Sequence, residues 1–254
     1  MNDKLSLEEK EMRILIIRHG DPDYEHDSLT EKGWREAALL ADRMEKEDLT
    51  KIYVSVLGRA RDTASLTLKR KGMTAEECTW LREFAPQINR PDVTAHKTIA
   101  WDWLPQDWTA EPDYYLADKW MDTPAMRTGD VKEQYQWVTE SFDKVLAEHG
   151  YVRDGRIYRV ERANRDTIAF FCHFGVECVL LSHLMNVSPM ILWHHTCAAP
   201  TSVTTIYTEE RRRGTAIFRM SSMADQSHLY VKDEAPSFQA RFCETYDCME
   251  ERHD

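Results

Sequence analysis

Four side chains carry the chemistry that this sequence could do. Arg18 and His19 stand together in Arg18-His19-Gly20-Asp21-Pro22, directly after the apolar run Arg13–Ile17. Arg59 opens a helix-like stretch just after the strand-like run Lys51–Val56, and His173 follows the buried-strand pattern Thr167–Cys172. Polar residues at the carboxyl ends of neighbouring parallel strands share the edge where α/β sheets bind ligands. Two imidazoles and two guanidiniums converging there would make a small cationic pocket, which suits a dianionic phosphate. Taken singly, each histidine is an ordinary structural residue; the repeated strand-end position is what gives them a common task. Arg59 adds to this, because a cation at a helix N-terminus opposes the helix dipole unless an anion sits there.

The elements that must hold these residues alternate. After the first strand, Thr30 is placed to cap a helix with Glu31 in its first turn, and Trp34, Ala37, Ala38, Ala41 and Met44 follow at helical spacing. A second strand leads into a helix from Arg59 to about Arg70, ending near Lys71-Gly72. Strand–helix–strand–helix order with short connections predicts a three-layer α/β/α fold around a mainly parallel central sheet. Cys78–Arg82 reads as another short strand. The stretch 84–130 breaks the rhythm, with prolines at 86, 91, 105, 112 and 124 and with Trp101, Trp103, Trp108 and Trp120. It is read as an inserted lid or cap, its tryptophans as the core of a small subdomain before a substrate cage. Beyond it, Tyr135, Val138, Phe142, Val145 and Leu146 define a long helix, and Val176–Met185 is helical again. Ser202–Thr208 and Thr215–Ser221 flank Glu209–Gly214 as an antiparallel hairpin whose arginines form a solvated turn. Past about Lys232 the pattern weakens, and the tail is expected to be loosely held.

Composition narrows the classes of partner. Against 33 Lys and Arg stand 44 Asp and Glu, a net charge of −11, which argues against nucleic acid or an anionic membrane surface. A chain of 254 residues with 42% hydrophobic content can bury a large core without disulfide or metal staples. No apolar run reaches the ~20 residues that span a bilayer, and Met1–Arg13 is charged where a signal peptide would be apolar. The six cysteines (Cys78, Cys172, Cys178, Cys197, Cys243, Cys248) form no CxxC pair and read as reduced thiols of a cytoplasmic protein. His194-His195 with Cys197 has ligand-type residues, but adjacent side chains point apart, and the group is read as structural.

The motifs resemble those of the histidine phosphatase superfamily, the phosphoglycerate-mutase-like proteins. The matching residues are Leu15–Gly20, Leu29-Thr-Glu-Lys-Gly33, Ser55–Ala64 and Phe171–Gly175, with Leu81–Phe84 resembling the segment that supplies an acid. They recur in family order over most of 13–208, which implies a single histidine-phosphatase-like domain spanning 1–254. The resemblance implies that His19 is the nucleophile and becomes a phosphohistidine. It implies that Arg18, Arg59 and His173 hold the phosphoryl oxygens, and that Glu83 is the general acid. Glu76 and Glu77 are the rivals for that last role. The implied substrate is a small phosphorylated metabolite, with no metal and no cofactor; the oligomeric state is left open, a homodimer included. Departures from the family pattern (Glu25 in place of a usual Asn, Val56 for Pro, Phe174 for Gly) speak for a phosphatase over a mutase.

Two other readings compete. His19, Asp21, Asp23, His26 and Asp27 pack hard-ligand types into nine residues, as a metal-dependent hydrolase would need. A non-catalytic phospholigand-binding module could also use this fold. Chelator sensitivity separates the first from the phosphohistidine route, and turnover of an aryl phosphate separates the second.

Overall fold

A computed structural model describes residues 11–238; the first ten residues of the charged leader and the tail beyond 238, with Cys243 and Cys248, lie outside the described residues. The chain runs β1 (Arg13–Arg18), β2 (Pro22–Asp23), β3 (Ser28–Leu29), α1 (Glu31–Met44), β4 (Lys51–Ser55), α2 (Gly58–Lys71) and β5 (Glu76–Cys78). The 84–130 stretch follows, with only β6 (Gln87–Ile88), β7 (Thr98–Ile99), α3 (Pro105–Trp108) and short 3-10 turns. Then come α4 (Val131–Glu148), β8 (Tyr151–Asp154), β9 (Ile157–Val160), β10 (Thr167–Cys172), α5 (Phe174–Met185), α6 (Pro189–His195), β11 (Val203–Arg212), β12 (Thr215–Asp225) and α7 (Ser227–Tyr230).

Eight strands form one sheet in the order β5-β4-β10-β1-β11-β12-β9-β8. From β5 to β1 the pairings are parallel; from β1 outward to β8 they are antiparallel. The fold is α/β as expected, with the parallel half carrying the βα crossovers and the antiparallel half containing the β11–β12 and β8–β9 hairpins. Side chains alternate along each strand, and the two faces bury different cores. Ile14, Ile16, Phe170 and Tyr53 join an aromatic-rich cluster with α4, α5, α6 and the 84–130 stretch. Leu15, Ile17, Phe171 and Val54 join a smaller aliphatic cluster that α1 and α2 cover. This is the three-layer arrangement.

Several local expectations are met by visible chemistry. The Thr30 hydroxyl accepts from Gly33 N–H at 3.0 Å to cap α1. Gly72, at φ +62°, ends α2 in the left-handed region that glycine enters without strain. The expected strand at Cys78–Arg82 is corrected: the strand is Glu76–Cys78, and Thr79–Leu81 turns as a 3-10 helix that buries Trp80 and Leu81. The β8–β9 hairpin and α6 were not anticipated; β8 and β9 mix charged with apolar residues at the sheet edge, which masks their alternation. The tail is held further than expected: Ser237 is buried, and Glu234 pairs with Lys32 at 2.9 Å. No helix among the described residues is long and apolar enough to cross a membrane.

Candidate active site

β1 and β10 are neighbours in register, with Arg18 opposite Cys172, so their polar continuations leave the sheet side by side. The His19 and His173 rings lie 5.0 Å apart, and both residues are buried, as is Arg18. His19 Nδ1 lies 2.7 Å from the Gly20 carbonyl. A carbonyl can only accept, so Nδ1 carries the proton and Nε2 keeps its lone pair. Arg59 Nε–H reaches that same Nε2 at 3.3 Å. Burial, followed by the Arg18 and Arg59 charges, pushes the His19 pKa well below its ordinary value, so the ring is neutral. Burial first, and then the neighbouring His19, Arg59 and Arg18, do the same to His173.

The cations are aimed by groups for which the sequence signals no such role. Arg18 Nη1 donates to the Ala198 carbonyl at 2.5 Å. Arg59 is held by Asp27, whose other oxygen accepts the Gly58 N–H, both at 2.6 Å. Asp27 thereby caps α2 from the preceding loop and resolves the cation placed against the dipole. Ser55, the last residue of β4, lies 2.8 Å from His173 Nε2 through its hydroxyl. Nothing local marks Asp27 among the carboxylates of its loop; for Ser55 the signal was a hydroxyl at a strand end in the same motif as Arg59.

Glu83 stands over the first turn of α5. Its Oε1 accepts from Phe84 N–H at 2.8 Å and from Val176 N–H at 3.1 Å. Burial lifts its carboxyl above the ordinary value, against those hydrogen bonds and the Arg18 and Arg59 charges. A Cβ at Gly175 would come within 2.6 Å of that oxygen and 2.9 Å of Trp101 Nε1, so any side chain there would displace Glu83 or Trp101. The rivals lie elsewhere: Glu76 pairs with Lys51 at 2.7 Å, and Glu77 lies exposed, 3.8 Å from Arg61.

The family model for the histidine phosphatase superfamily, branch 1, matches residues 14–219, a span that contains every one of these groups. The chain belongs to that superfamily. It is an enzyme of the histidine phosphatase class. Solved structures with this fold include a mycobacterial glucosyl-3-phosphoglycerate phosphatase, at 18% identity, TM-score 0.54, covering 84% of this chain and 99% of that one. A phosphoserine phosphatase variant from Entamoeba histolytica, complexed with phosphoserine, is 17% identical at TM-score 0.56, covering 86% and 99%. A protein described as mycobacterial hydrolase 1 is 19% identical at TM-score 0.56, covering 85% and 99%. No curated protein matches the sequence.

Within this superfamily member, the hard-ligand residues of the 21–27 loop are turned to other partners. His26 pairs with Asp23 at the surface, Asp27 holds Arg59, and Asp21 bonds Thr30 and Ser237. No group of three or more possible metal-ligating side chains converges among the described residues. His194 is structural: it accepts the Trp103 N–H at 3.1 Å and stacks on Trp108 with ring centroids 4.8 Å apart. Cys78, Cys172 and Cys178 are free thiols.

Proposed function

We propose that the protein is a metal-independent phosphomonoesterase working through a phosphohistidine. The observation that carries this reading is the setting of His19: a buried ring whose Nδ1 bonds the Gly20 carbonyl, whose Nε2 meets the Arg59 guanidinium, and whose pKa burial pushes well down. In the first step Nε2 attacks phosphorus and the ester P–O bond breaks. The departing alkoxide takes a proton from Glu83, whose raised pKa favours the acid form. In the second step Glu83 takes a proton from water, the water oxygen attacks phosphorus, and the P–N bond breaks to release phosphate. Arg18, Arg59 and His173 stabilise the charge spread over the phosphoryl oxygens, which is most of what this reaction asks of a protein.

The substrate in this reading is a small phosphate monoester, the class named for the two phosphatase neighbours. The 84–130 stretch enters directly after Glu83, and Trp101 Nε1 donates to the Phe84 carbonyl at 2.6 Å, so the stretch is taken as the cap that sets substrate choice. It holds Arg90, Lys97, Lys119 and Arg127 against eight Asp and Glu, which disfavours bisphosphorylated sugars.

Rapid quench with a labelled aryl phosphate tests the reading. The expected product is an acid-labile, base-stable phosphoramidate on His19, with turnover unchanged by exhaustive chelation. Label on an aspartate or cysteine, or activity lost to chelator and restored by one divalent ion, would overturn it. Transfer of the label to added phosphoglycerate in place of water would move the assignment to a mutase. Absence of turnover on every ester tried would leave a binding module.

A further inference from the structure

The Nδ1 side of the His19 ring is held by one peptide group, and that group is gripped from its far side by α1. The carbonyl of Gly20 accepts from His19 Nδ1; the N–H of the same peptide belongs to Asp21 and donates to Glu36 Oε2 at 3.1 Å. A peptide is planar, so its C=O and N–H point in opposite directions and turn together. Fixing the N–H therefore fixes the acceptor that sets the imidazole's tautomer and tilt. Glu36 is fully buried on α1, and neither the phosphoryl pocket nor the proposed proton path uses it.

Glu36 is itself latched by the chain's last described segment. Its other oxygen, Oε1, accepts from the Ser237 N–H at 2.9 Å, while the Ser237 hydroxyl bonds Asp21 Oδ1. Asp21 Oδ2 accepts from Thr30, the cap of α1, at 2.6 Å. Lys32 spans the outside, 2.9 Å from Glu234 and bonded to the Ala235 carbonyl. A Cβ at Gly33 would lie 2.3 Å from the Asp21 carbonyl oxygen, so helix and loop are in backbone contact here. The latch residues lie beyond 219, where the superfamily match ends.

We propose that Glu36 is a positioning residue for the nucleophile, acting through the Gly20–Asp21 peptide, with residues 234–237 as the latch that holds it. This rests on the reading of His19 as nucleophile. Burial pushes the Glu36 carboxyl up to about 7, against its two N–H donors and Lys32. Either protonation state keeps an oxygen that can accept from Asp21, so an acceptor at this position matters more than its charge.

The test compares Glu36→Leu with Glu36→Gln in the full chain, using p-nitrophenyl phosphate turnover and the ¹⁵N signals of the His19 ring. Glu36→Leu leaves the Asp21 N–H without its acceptor. It should lower kcat by about 10²-fold, the usual cost of a small misplacement, with KM within about two-fold. Its His19 ring should shift from a single Nδ1–H tautomer to a mixture. Glu36→Gln retains an amide oxygen for Asp21 and should restore both the tautomer and most of kcat, while loosening the 234–237 segment. Should Glu36→Leu fail to fold, Ser237→Pro removes the N–H and hydroxyl of the latch alone and should give a smaller loss with the same change in the ring signals. An unchanged tautomer in a folded Glu36→Leu or Ser237→Pro variant overturns the proposal, whatever happens to kcat. A changed tautomer with full kcat would uphold the positioning and count against His19 as nucleophile.

Discussion

The pocket at the ends of β1 and β10 and the aromatic layer of 84–130 meet at the first turn of α5, yet they bury opposite kinds of surface. In the pocket, buried groups are polar, and each described orientation rests on a named hydrogen bond: Gly20 for His19, Ala198 for Arg18, Asp27 for Arg59 and Ser55 for His173. In the aromatic layer the tryptophans are packed inward. Trp120 meets Trp193 and Tyr135 at 5.6 and 5.2 Å between centroids, and Trp103 meets Tyr114 at 5.4 Å. A polar cluster in low dielectric costs free energy unless each partner is in place, whereas apolar rings need only volume and contact. Polar errors should therefore appear in rate, and aromatic errors in stability.

The largest expected effect breaks the pocket outright. His19→Ala should reduce turnover by at least about 10³-fold while the circular dichroism spectrum stays native; near-normal turnover would remove the pocket from the chemistry. Glu83→Gln comes next and splits by leaving group. An alkyl phosphate should lose about 10²–10⁴-fold and an aryl phosphate little, because only a strongly basic departing oxygen needs a proton. The pH profile sharpens this. Burial raises the Glu83 pKa, so the acid form persists to higher pH than for an ordinary glutamate, and the alkyl rate falls only as pH passes that raised value. The Gln variant should lack that alkaline limb; equal losses on both esters would send the acid role elsewhere. Arg59→Ala should cost about 10²–10³-fold in kcat, and Asp27→Ala less, since Asp27 aims the guanidinium without touching the phosphoryl group. A loss for Asp27 equal to that for Arg59 would mean that the α2 cap, lost with Asp27, is what matters.

The aromatic side of the comparison predicts a different signature. Trp120→Ala opens a void in a fully buried site and should destabilise the protein by about 3–5 kcal/mol, read by urea unfolding, with kcat/KM per folded molecule within a few-fold of wild type. Trp101→Ala should combine the two behaviours, because its indole N–H holds the Phe84 carbonyl next to Glu83. A Trp120 variant that lost rate without losing stability would show the layer to be part of the site.

Much of this is legible in the sequence. The β1 pattern, the Thr30 cap and the Gly72 stop follow from local chemistry, since apolar alternation, an oxygen ahead of a helix and a residue free to take positive φ act over a few positions. The strand-end placement of Arg18, His19 and His173 was legible for the same reason, and Arg59 follows from the helix that opens after β4. What stayed hidden depends on distant partners. Asp27 looked like one of several carboxylates in an acidic loop, and only its approach to Gly58 made it a cap and counter-ion. The 84–130 stretch looked separable because prolines interrupt its periodicity, yet its rings complete the core of the helices that follow.

The sequence by itself determined which residues could do the chemistry and on which strand ends they stand, because strand and helix signals are written in neighbouring side chains. The tertiary structure alone decided which glutamate is buried against the first turn of α5, and that Glu36 and Ser237 grip the loop that follows His19. Those facts are bonds between groups as far as 216 positions apart, and no local pattern records a bond made across folded layers.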